Sequence, residues 1–151
     1  MKFCSTRGFT LVELLVTMAI VGILAAIAIP SYSKYVVRSS RSAVQAELLQ
    51  MANVQEKIFL NSNAYTSKLT DAYDGKVSGG LGKPSLTSDG KYTLAILEAA
   101  QNYTMAAIPA STKGQKGDGC LVIQENGVRN WYQGNDGVCV LPLVGTPIVP
   151  W

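Results

Sequence analysis

The chain has 151 residues, 13 basic and 10 acidic side chains, a formal charge of +3 and no histidine. That length suits one small globular domain with a membrane segment beside it. Without histidine there is no imidazole for base or metal chemistry, and so small a charge gives no compositional case for nucleic-acid binding.

From Phe9 to Ile29 the sequence is apolar but for one charge, Glu13. About twenty such residues cross a hydrocarbon core of roughly 30 Å at about 1.5 Å per residue. An acid in that setting costs on the order of a few kcal/mol unless it is paired or serves a function. A single-pass helix offers it no partner.

Lys2 and Arg7 in a short leader, then Gly8-Phe9-Thr10-Leu11-Val12-Glu13, then the apolar run ending at Pro30, closely resemble the N-terminus of type IV pilins and their pseudopilin relatives. The resemblance is specific over Arg7 to Pro30 and says little about the later residues. It implies that a prepilin peptidase cuts after Gly8, that Phe9 becomes an N-methylated first residue, and that Glu13 has the family's assembly role. It also implies a pilin fold, an inner-membrane single-pass state before assembly on an inner-membrane platform, and other pilin subunits as partners in a cell-surface pilus. The ammonium on Phe9 would lie one helical turn from Glu13, so one chain's carboxylate can neutralise its neighbour's ammonium in a low-dielectric layer. Three alternatives stay open: an acid snorkelling to the headgroups, a plain membrane tether, and a secretory signal peptide whose removal leaves Ile29 first.

The implied parts are a leader over 1–8, a membrane and filament-core helix over 9–30, and a head over 31–151. Beyond Pro30 the pattern turns amphipathic. Val37, Val44, Met51 and Ile58 recur every seven residues with Leu48 on the same stripe, which predicts one helix from about Phe9 to about Leu60. Such a helix is roughly 78 Å long, more than a small domain needs, so its first half must project. Pro30 predicts a kink and Gly22 loosens the same helix.

Asn61 to Gly90 is rich in Gly, Pro, Asn and Asp and reads as a long irregular connection, which the resemblance implies is surface-exposed. Gly82-Lys83 lacks the flanking residues of a phosphate loop. Strand signals follow at Lys91–Leu97, Asn102–Ile108, Cys120–Gln124 and Val128–Tyr132, the last two joined by Asn126-Gly127, a strong hairpin signal. Val138–Leu141 reads as a final strand, and Pro142–Trp151 as a packed extended tail or a surface for a partner subunit. Three or four antiparallel strands need the helix stripe to cover one face, so the fold class is α+β: a long N-terminal helix packed on a small antiparallel sheet.

Of the three cysteines, Cys4 lies in the leader, where it could alternatively carry a lipid. Export implies an oxidising environment for Cys120 and Cys139, hence a disulfide, with two free thiols as the alternative. Removing Lys2 and Arg7 leaves eleven basic against ten acidic side chains. The acids are scattered among turns and no thiol has an adjacent base, so the chain reads as neither an enzyme nor the holder of a cofactor. Asp118, Asn135 and Asp136 could offer oxygen ligands to calcium, but their spacing does not repeat and no metal is expected. Tyr92, Tyr103, Trp131 and Tyr132 read as core or half-buried sheet residues, with a smaller case for contact with DNA aided by Lys113 and Lys116. The expected function is a structural, N-methylated subunit of a type IV pilus, as a minor pilin, serving adhesion, twitching motility or DNA uptake. A secretion pseudopilin and a DNA-binding competence pilin are the alternatives.

Overall fold

The computed structural model describes residues 8–98, 100–111, 114–137, 139 and 149–151. The expectations for the leader with Cys4, for Lys113, for most of the strand at Val138–Leu141 and for the tail from 142 to 148 lie outside the described residues. The fold is α+β, one long helix and an antiparallel sheet. Two compact units divide it, one ending at Val36 and one running from Val37 to Trp151.

Helix α1 spans Leu11–Ser62, 52 residues, and continues through Gly22 and Pro30. Thr10 starts it. Its Oγ1 accepts the Glu13 N–H at 3.2 Å and its carbonyl accepts the Leu14 N–H at 3.2 Å. Threonine followed three residues later by an acid is an N-cap signature, and the acid in the first turn suits the positive end of the helix dipole. In the first unit no described side chain is buried. In the second, Val44, Leu48, Met51 and Ile58 are almost wholly buried, while Val37 is only half-buried.

The sheet is an up-and-down antiparallel meander of β1 (Tyr92–Glu98), β2 (Thr104–Pro109), β3 (Gly119–Gln124), β4 (Arg129–Gln133) and β5 (Val149–Pro150), paired in that order. Ala95 sits opposite Ala106, Ala106 opposite Val122 and Val122 opposite Asn130. Successive strand residues point to opposite faces. One face gives Tyr92, Leu94, Met105, Ala107, Leu121 and Ile123 to the core shared with the helix stripe. The other gives Ala106, Cys120, Val122 and Tyr132, and Cys139 packs with them. A disulfide joins Cys120 to Cys139 with Cα atoms 6.2 Å apart, so the segment after β4 is tied to the far face of the sheet. The end of the tail is extended, as expected: Val149 pairs with Trp131, and the Trp151 indole N–H donates to the Asn130 carbonyl at 3.1 Å.

The connection from Asn63 to Lys91 contains no helix or named strand, yet it is closely tied down. Leu81, Gly82 and Lys83 donate backbone hydrogen bonds to Lys68, Asp71 and Leu69 at 2.9–3.0 Å. The Gln55 side chain, buried in the helix stripe, exchanges two hydrogen bonds with the Thr66 backbone at 2.8 and 3.0 Å, and the Thr66 hydroxyl donates to the Gly79 carbonyl at 2.7 Å. Thr66 and Leu81 are buried. The exposed connection that the resemblance implied is therefore anchored from inside by a polar side chain on the apolar stripe.

Candidate functional site

Residues 9–36 form the first candidate. Phe9, Leu11, Leu15, Ile20, Ile23, Leu24, Ile27 and Ile29 each expose more than half of their surface. Helix α1 is the one described helix long and apolar enough to cross a membrane. An apolar surface of this extent is stable in lipid or against other helices, and unfavourable in water. Glu13 is exposed among these residues and Phe9 precedes the helix. Gly8 is exposed, with open space where a side chain would begin. At Gly22, too, nothing lies within 4 Å of where a Cβ would stand, so no packing within this chain requires glycine there.

The head is held by a polar cluster that the sequence did not announce. Asp118, just before β3, accepts from Arg41 of α1 at 2.6 and 3.0 Å and from the Tyr92 hydroxyl at 2.6 Å. Gln115 Nε2 lies 3.0 Å from the same carboxylate and 3.1 Å from the Val37 carbonyl. The Arg41 guanidinium also lies 3.7 Å above the centre of the Trp131 ring, whose N–H donates to the Asp118 carbonyl at 2.9 Å. An arginine that is four-fifths buried and paired in two points to a carboxylate fixes orientation as well as charge. Only the tertiary structure reveals this, since Arg41 and Asp118 stand 77 residues apart in the sequence.

The carboxylate of Asp118, offered by the sequence as a calcium ligand, is engaged instead by Arg41, Tyr92 and Gln115. Asp136 is also engaged, accepting the Gly117 and Gly119 N–H groups at 2.7 and 2.9 Å. Both carboxylates are thus engaged by donors of the chain itself, and no group of three or more His, Cys, Asp or Glu side chains able to hold a metal ion occurs among the described residues.

The aromatic residues weighed for DNA contact are in the core. Tyr92, Tyr103 and Tyr132 are 0, 3 and 5 % exposed, and Trp131 is half-buried under Arg41. Bases cannot stack on rings so placed. Lys116 is exposed. Burial, then the Asp118 carboxylate, pushes the Tyr92 phenol far above its ordinary range. Burial, then Glu56, does the same to Tyr103 and raises Tyr65 as well.

The sequence model of the family described as "Type IV minor pilin ComP, DNA uptake sequence receptor" matches residues 30–124, and that of the "Prokaryotic N-terminal methylation motif" matches residues 4–29. The type IV major fimbrial protein FimA of Dichelobacter nodosus strain VCS1703A is 35% identical over 138 residues, 91% of this chain and 74% of the relative. A second FimA from Dichelobacter nodosus is 40% identical over 83 residues, 55% of this chain and only 52% of that relative's length. The fimbrial protein EcpC of Eikenella corrodens is 36% identical over 113 residues, 74% of this chain and 67% of the relative.

Proposed function

The chain belongs to the type IV pilin family, and on that premise we propose that it is a structural subunit of a type IV pilus. The single observation that carries the reading is the exposed apolar stretch of residues 9–30, in which Glu13 is the one charge. A prepilin peptidase removes residues 1–8 and the new terminus at Phe9 is N-methylated. Residues 9–30 hold the precursor in the inner membrane in a single pass, then form the filament core beside the same segments of other pilin subunits. Residues 31–151 form the head at the cell surface. The chemistry is assembly, not catalysis. In the apolar layer each Glu13 carboxylate meets the Phe9 ammonium of a neighbour, so charge sets the stagger between helices.

The test is mass spectrometry of filaments sheared from cells. A methylated Phe9 peptide in the sheared fraction supports processing and assembly together, and its ratio to other pilins separates a major from a minor subunit. A processed chain found only in membranes points to a pseudopilin or a priming role. An intact Met1, or a start at Ile29, overturns the reading.

A second reading, a minor pilin whose head takes part in DNA uptake, is supported by the match of residues 30–124 to a family described as a DNA uptake sequence receptor. It predicts that the full chain in detergent binds duplex DNA and loses affinity as salt rises. Absence of binding at low salt removes it.

A further inference from the structure

A cavity of about 140 Å³ opens between α1 and the turn before β1, with Ser40, Ala43, Val44 and Glu47 on its helix wall and Thr87 and Asp89 on the other. A water takes about 30 Å³ of liquid, so the space admits a small planar group. Its polar atoms are incompletely used. Glu47 accepts no hydrogen bond from a described residue and pairs at 3.6 Å with Lys83, whose ammonium donates instead to Gln50 at 3.3 Å. On Asp89, Oδ1 accepts from the Thr87 hydroxyl at 2.7 Å and from the Lys91 N–H at 3.1 Å, and the Ser40 hydroxyl and the Lys91 charge also favour the ionised carboxylate. The Lys91 ammonium is engaged by the Ser40 hydroxyl at 2.7 Å. Two carboxylates with acceptor capacity, beside aliphatic carbon from Ala43 and Val44, suit a guanidinium on an apolar stem.

The same helix carries such a group. Arg38 is exposed, and its guanidinium makes no ion pair or hydrogen bond with a described residue. At 3.6 residues per turn, Arg38 and Glu47 stand about 180° apart around α1. We infer that the Arg38 guanidinium of one copy of this chain enters the Glu47–Asp89 groove of the next copy, an inference that rests on the reading of the chain as a filament subunit. Donor and receiver lie on opposite flanks of one helix, so each copy gives the contact on one side and receives it on the other. A head-to-tail contact of that kind propagates, and builds an open helical filament wherever its rotation does not close into a ring. The chain then holds both halves of an interface with itself.

The test uses the full chain in piliated cells. In sheared filaments carrying Arg38→Cys together with Ser88→Cys at the groove's rim, a short bismaleimide should join copies into a ladder that neither single variant gives. Arg38→Glu and Glu47→Arg should each lower the amount of the chain in filaments by roughly tenfold, with the processed chain still present in the membrane, and the double reversal should restore it. Filaments that contain the double-cysteine chain yet yield only monomer overturn the inference and leave the pilus reading intact. Absence of the unaltered chain from all filaments overturns both.

Discussion

The Arg41 guanidinium holds the Asp118 carboxylate by two contacts, Nε to Oδ2 at 3.0 Å and Nη2 to Oδ1 at 2.6 Å, across 77 residues of sequence. It joins the helix to the start of β3, and Tyr92 and Gln115 complete the acceptor's hydrogen bonds. Asp118→Asn leaves a largely buried guanidinium without its counter-charge and should destabilise the head by about 3 kcal/mol. Urea unfolding monitored by the fluorescence of Trp131 and Trp151 measures it. A loss below about 0.5 kcal/mol would class the pair with exposed salt bridges.

Reduction of the Cys120–Cys139 disulfide frees a loop of sequence separation 19. Loss of that constraint on the unfolded chain is worth about 3 kcal/mol. Cys139→Ser should lower the melting temperature of the chain and make it insensitive to reductant, while the parent chain shifts when reductant is added. Equal melting of the parent with and without reductant would contradict the constraint.

Tyr92 and Tyr103 keep their protons in the folded head far above the ordinary phenol value of about 10, because burial and nearby carboxylates disfavour the phenolate. Their folded values are raised, so the stability they contribute is fully present below pH ~10 and declines as pH rises above it. Absorbance at alkaline pH should show the buried pair ionising only together with unfolding. Ionisation of Tyr92 and Tyr103 near pH ~10, with the fold intact, would contradict the burial argument.

Gly119 opens β3 at φ +91°, and a Cβ there would collide with the Tyr132 carbonyl on the paired strand. Gly119→Ala should cost at least about 1–2 kcal/mol from the left-handed backbone alone, before any clash is counted. Gly114→Ala meets open space at a similar φ of +69° and serves as the control. Similar unfolding midpoints for the two variants would rule out the collision.

Glu13→Ala should leave cleavage after Gly8 intact and sharply reduce the chain in sheared filaments; charge reversal to Lys should reduce it further. Wild-type yield in the alanine variant would count against pairing with the Phe9 ammonium. The Thr10 hydroxyl already caps the helix through the Glu13 backbone N–H, which the substitution keeps. A filament defect in this variant therefore reports the carboxylate and not the cap.

Residues 9–29 determined their own reading, because an unbroken apolar run with one acid needs no distant partner to be recognised. The amphipathic stripe of Val44, Leu48, Met51 and Ile58 and the Asn126-Gly127 turn were equally legible, since helix period and turn chemistry act within a few residues. Thr10 was legible too, as a threonine three residues before an acid, although the charge on Glu13 draws attention first. What the tertiary structure alone decided is where isolated polar residues find partners. Arg41 meets Asp118 and Gln55 meets the Thr66 backbone across 77 and 11 residues, and Glu47 shares a groove with Asp89 because the turn before β1 folds against the helix. Such pairings leave no period in the sequence. They follow from burial, which makes an unpaired polar group costly and so fixes which distant residues must meet.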